Sequence, residues 1–162
     1  MAVYVDLQIA SESAHLPSED TLMLWAEAAI GDAREETEIS LRIVDIQEGA
    51  EMNHTWRNKQ GPTNVLSFPS DLPKELGLPL IGDLMVCAPI VEQEALEQNK
   101  SLEAHWAHMI VHGTLHLLGY DHIEDSDAIE MEALETQVLT GLGYPAPYAM
   151  DAISHETTQR RQ

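Results

Sequence analysis

The chain has very little cysteine. Cys87 is the only one in 162 residues, so there is no internal disulfide and no pair of thiolates for a zinc site. Any metal must therefore be held by imidazole or carboxylate. Positive charge is also scarce: 8 Lys plus Arg stand against 28 Asp plus Glu, a formal net charge of −20. That balance counts against a nucleic-acid partner, because affinity for phosphate comes mainly from cations. Long apolar runs are missing as well; none approaches the ~18 residues of a membrane span. Residues 1–10 have neither the basic n-region nor the apolar h-region of a signal peptide. The expectation is a cytoplasmic protein with no membrane partner. No repeat or low-complexity linker divides the chain, and 44% hydrophobic residues suffice for one buried core. We expect one domain over residues 1–150 and a polar, disordered tail over residues 151–162.

What is present falls into alternating strand and helix patterns. Val3, Val5, Leu7 and Ile9 alternate with polar residues, the period of a half-buried strand. Residues 21–31 follow with apolar positions at helical spacing, and residues 38–45 alternate again, which suggests a second strand beside the first. Residues 48–58 are weakly helical, 64–68 form a short strand closed by Pro69, and the Pro-rich residues 71–79 form a loop. A fourth strand covers residues 81–87, and Pro89 opens a helix to about residue 99. Residues 101–118 make the clearest helix, ended by Gly119. The last helix, 127–142, opens on an Asp127-x-x-Glu130 capping pattern. Along it, Asp125, Asp127, Glu130, Glu132 and Glu135 read as one solvated acidic face, and Met131 as core.

Three of the eight histidines lie in His112-Gly-Thr-Leu-His116-Leu-Leu-Gly-Tyr-Asp-His122. His112 and His116 are four residues apart, hence on one helix face and about 6 Å apart along the axis. Gly119 lets the chain turn back and bring His122 toward the same ion. Three neutral nitrogens with an open fourth position describe a catalytic zinc site better than a structural one. His108 extends the series, but it stands about 12 Å from His116 along the axis and cannot share the ion, so it is a candidate for holding a ligand in place. His105 reads as a packing or surface residue. The spacing equals that of the metzincin peptidases, yet the Glu that acts as their general base is Gly113 here, so a peptidase would need another base.

Together with Glu103-Ala-His-Trp-Ala-His108, Pro62-Thr-Asn-Val-Leu-Ser-Phe-Pro69 and Ile81-Gly-Asp-Leu84, the histidine segment resembles the YbeY family of bacterial endoribonucleases, over residues 3–148. Thr63-Asn64 stands where many relatives have Thr-Asp. The resemblance implies a single α+β domain with a mostly four-stranded sheet, about five helices and a metal site at a helix end. It implies one Zn²⁺ per chain on His112, His116 and His122. The implied activity is a hydrolase: a single-strand-specific endoribonuclease in rRNA maturation, including the 3′ end of 16S rRNA, and in small-subunit biogenesis and quality control. The implied partners are single-stranded RNA, rRNA, the small ribosomal subunit and its assembly factors, with no DNA.

The family's functional arginine maps onto Arg57, and Arg57 with Lys59 is the sole internal basic pair offered to a phosphate. Asp121, Asp83 and Ser67 are polar candidates for supporting the ligands or moving a proton. Two other classes keep the same residues: a metallopeptidase with a recruited base, and a noncatalytic assembly factor in which the histidines serve stability.

Overall fold

The computed structural model describes residues 2–31, 36–58, 61, 63–70, 79–120 and 125–147. In chain order these form β1 (Ala2–Ala10), α1 (Glu19–Ile30), β2 (Glu36–Val44), α2 (Ile46–Arg57), β3 (Val65–Pro69), β4 (Leu80–Cys87), α3 (Ala88–Glu97), α4 (Leu102–Leu117) and α5 (Asp125–Gly141). Four strands and five helices match the expected α+β class. The polar tail over residues 151–162 and most of the expected 71–79 loop lie outside the described residues.

Strand order in the sheet is β1-β2-β4-β3. The first two strands are neighbours, as expected, and pair in parallel, with Val5 opposite Ile39 and Leu7 opposite Leu41. β4 adds in parallel to β2, and β3 closes the edge antiparallel to β4, with Ser67 opposite Leu84 and Phe68 opposite Asp83. The mixed sheet follows from the connections: α1 is a crossover long enough to return the chain parallel.

Strand alternation sorts the core into two clusters. Val3, Val5, Ile39, Leu41, Ile43, Leu84 and Val86 face α1 and α4 and bury Trp25, Trp106, Ile110 and Leu115 between them. Leu66, Met85, Val44 and Cys87 face the other way, under Met52 of α2 and Ile90 of α3. The central helix α4 is buried around most of its circumference, which is why its sequence is so apolar. Ser101 caps it by accepting a hydrogen bond from Ala104 N at 3.0 Å.

Two sequence expectations about α5 need correction. The helix opens at Asp125, so Asp127 is not its cap. Nor is its acidic residue set one solvated face: Asp127 and Glu130 are exposed and Glu132 is half-buried, but Glu135 is fully buried. The helix repeat puts Glu135 in register with Met131 and Leu139, which are both core.

Candidate metal centre

The site is built on the last two turns of α4. His112 and His116 lie along one face with ring centroids 4.7 Å apart and planes at 81°. The residue between them that faces the sheet is Gly113. A Cβ there would lie 2.8 Å from a Leu84 methyl and 3.3 Å from a Val65 methyl, so α4 reaches β3 and β4 only because the side chain is missing. This explains why the glutamate of the metzincin pattern cannot stand at 113: the position points into the sheet. Ser67 seals the contact, its hydroxyl donating to Gly113 O at 3.4 Å.

Past Leu117 the helix ends in a Schellman motif. Tyr120 N donates to Leu115 O at 3.1 Å and Gly119 N to His116 O at 3.0 Å, with Gly119 at φ 110°. The helix therefore ends at Gly119 as expected, and the return of His122 lies outside the described residues. Both histidines lie near the C-terminal, partially negative end of α4, a favourable place for a cation.

Behind the pair stands Glu135, the residue that charge patterning misassigned. Its Oε2 is 2.5 Å from His112 Nδ1 and its Oε1 is 2.9 Å from His108 Nε2. Burial pushes this carboxyl up, but the hydrogen bonds from His108 and His112 outweigh it and hold Glu135 well below the usual carboxylate range. An ionised carboxylate can only accept, so both imidazoles donate to it. Burial pushes His108 below the ordinary imidazole value despite its bond to Glu135, consistent with a neutral donor. His108 is therefore joined to His112 through one carboxylate. The signal in the sequence was the apolar stripe of α5, which Glu135 interrupts.

A second carboxylate serves His105, which is buried as a packing residue. Glu94 Oε1 is 2.8 Å from His105 Nε2 and also accepts from Asn64 Nδ2 at 3.1 Å. Burial pushes Glu94 up, and the hydrogen bonds from His105 and Asn64 bring it below its ordinary value. The amide at 64 is thus a donor that a carboxylate would not supply.

The remaining candidates divide. Arg57 is exposed at the last residue of α2 and makes no ion pair among the described residues, whereas Arg42 is held by Glu48 at 2.7 Å. Trp56, 63% exposed, packs edge-on against Phe68 at 6.2 Å, on the sheet face opposite Ser67 and α4, so the described contacts do not bring Arg57 to the histidine pair. Asp83 is exposed opposite Phe68, on the sheet face away from α4, and is not brought to the histidine pair. His122, Asp121 and Lys59 lie outside the described residues. Among the described residues no group of three His, Cys, Asp or Glu side chains is placed to hold a metal. Two neighbouring imidazoles, one of them tied at Nδ1 to a carboxylate, are nevertheless the nitrogen donors that zinc takes. The described residues fit two of the ligand positions.

The comparisons with known proteins agree with this fold. The solution structure of TM1509 from Thermotoga maritima superposes with a TM-score of 0.60 over 96% of this chain and 99% of that one, at 25% identity. The model of the family described as endoribonuclease YbeY matches residues 8–143, a span that contains both sides of the β3–α4 contact and Glu135. The chain belongs to the YbeY endoribonuclease family.

Proposed function

We propose that this endoribonuclease is zinc-dependent and cuts single-stranded RNA in rRNA maturation, including the 3′ end of 16S rRNA. In this reading it acts in the cytoplasm, in small-subunit biogenesis and quality control, and one Zn²⁺ per chain is held by His112, His116 and His122. The observation that carries the reading is the His112–His116 pair on the exit of α4, backed by buried Glu135. Bound there, zinc supplies a Lewis acid for the phosphate and acidifies water. That is why the glutamate missing at 113 costs an RNA-cleaving enzyme less than it would cost a peptidase.

Arg57 supplies the positive charge that gathers on the phosphate as negative charge develops in the transition state. Its side chain is exposed and unpaired by any described carboxylate, and Trp56 beside it offers an exposed ring on which a base can stack. Ser67 acts structurally, holding β3 to α4 at Gly113. With −20 net charge the free protein binds RNA weakly, and assembly factors on the small subunit deliver the substrate.

The test is zinc content together with cleavage of one RNA sequence, presented single-stranded and annealed, by nuclease-free protein. One equivalent of zinc and cutting of the single strand are expected. Equal cutting of both forms would overturn strand specificity, and no cutting with zinc fully bound would favour the noncatalytic assembly factor.

A further inference from the structure

Glu135 is used by nothing in the proposed chemistry, yet it is a fully buried acid on a helix where Asp127 and Glu130 are exposed and Glu132 is half-buried. Burying an ionised group is costly unless it is paired and hydrogen-bonded. Two imidazoles of α4 meet that requirement, one on each carboxylate oxygen. The arrangement is asymmetric in what it leaves over. His108 is buried at 8% exposure and spends Nε2 on the carboxylate. His112 spends Nδ1, and its side chain keeps 20% exposure. With Nδ1 carrying the proton, the lone pair of His112 is on Nε2, at the tip of the ring away from Glu135, and the His116 ring lies 4.7 Å away, centroid to centroid.

We infer that Glu135 is a positioning residue that holds His112 as the Nδ1–H tautomer, in the rotamer that presents Nε2 to the metal, and that His108 is the clamp that keeps the Glu135 carboxylate in place. This rests on the zinc reading above. It assigns His108 a task two bonds removed from the ion. It also explains why α5 carries an acid in its apolar stripe: the ligand helix α4 is locked to α5 through the same oxygens that orient the ligand. A glutamine at 135 keeps the shape but has one oxygen, so it accepts from one imidazole and turns an N–H₂ toward the other.

Two measurements test this. In zinc-free wild-type protein, ¹⁵N–¹H correlation spectra of the imidazoles should show His112 protonated at Nδ1 and bare at Nε2. By chelator competition, Glu135→Gln should then bind zinc about 10- to 100-fold more weakly than wild type, and the visible spectrum of the Co²⁺ form should change. His108→Gln should weaken zinc less than Glu135→Gln, since the carboxylate stays. A proton on Nε2 of His112 in wild type, or zinc affinity and Co²⁺ spectrum unchanged in a folded Glu135→Gln protein, would overturn the positioning role while leaving the zinc reading intact. Wild-type protein that binds no zinc would overturn both. Should Glu135→Gln fail to fold, the wild-type tautomer and the His108→Gln affinity still decide.

Discussion

Two carboxylates reach the imidazoles of α4, and they do so to different ends. Glu135 comes from α5, is essentially inaccessible, and joins His108 to His112. Glu94 comes from α3, keeps 26% side-chain exposure, and joins His105 to Asn64 at the entry to β3. The bond lengths and the chemistry are alike. What differs is the setting of each ring: His112 keeps 20% side-chain exposure with His116 at 4.7 Å, whereas His105 is packed into the protein interior at 2% exposure. The same pairing therefore ties elements together in one place and also aims a ligand in the other. A carboxylate–histidine contact by itself does not mark a site; the outlet of the imidazole does.

The largest effect that would sharpen this contrast is at the ligands. His116→Ala should lose the zinc and lower RNA cleavage by about 10³-fold or more, because the Lewis acid goes with it. His105→Gln should keep both. Elemental analysis and single-turnover cleavage on the same preparations check the pair, and zinc lost equally from both variants would break the contrast.

Arg57 comes next, on an exposed helix end rather than in the buried lattice of α4. Arg57→Ala should reduce kcat by about 10² to 10³ with zinc content and melting temperature unchanged. Arg57→Lys should recover part of the rate, since a point charge replaces a planar fork. Single-turnover rates at saturating RNA decide, and near-equal rates would remove Arg57 from the reaction.

On the Glu94 side the expected loss is stability alone. Glu94→Gln should cost about 1–3 kcal/mol in denaturant melts, the range for disturbing a buried, charge-assisted contact, with zinc affinity unchanged. A drop in zinc affinity equal to that of Glu135→Gln would mean that both carboxylates serve the metal.

The smallest effect is in pH. Glu94 is held below its ordinary value in the fold, so the unfolded chain binds the proton more readily. Its contribution is present above the usual carboxylate range and is lost as pH falls through it. The stability gap between wild type and Glu94→Gln, measured on chelator-treated protein, should thus be full near neutrality and shrink toward acid pH. A gap that widened toward acid pH would contradict the ionised assignment.

How much of this was legible beforehand depended on range along the chain. β1, β2, α1 and α4 were visible as a period of 2 or 3.6, and β3 and α3 from the prolines that bound them, with boundaries off by a residue or a few, because these signals are set by near neighbours. The i, i+4 pair His112 and His116 and the helix end at Gly119 were visible for the same reason: helix geometry places them with no help from the rest of the fold. Glu135 was not. Counting charges put it on a wet face with Glu130 and Glu132, and its partners lie 23 and 27 residues away on another helix. The stripe Met131, Glu135, Leu139 held the clue, but an acid in an apolar stripe gains its meaning only from what it meets.

The sequence by itself determined the ligand spacing, the absence of thiolates, the glycine at 113 and the excess of acid, since all of these are counts or local geometry. Tertiary structure decided which acid is buried, which imidazole nitrogens it meets, and that position 113 is pressed against the sheet. The reason is physical: the free energy of a buried charge depends on donors brought to it from distant parts of the chain, and only packing brings them.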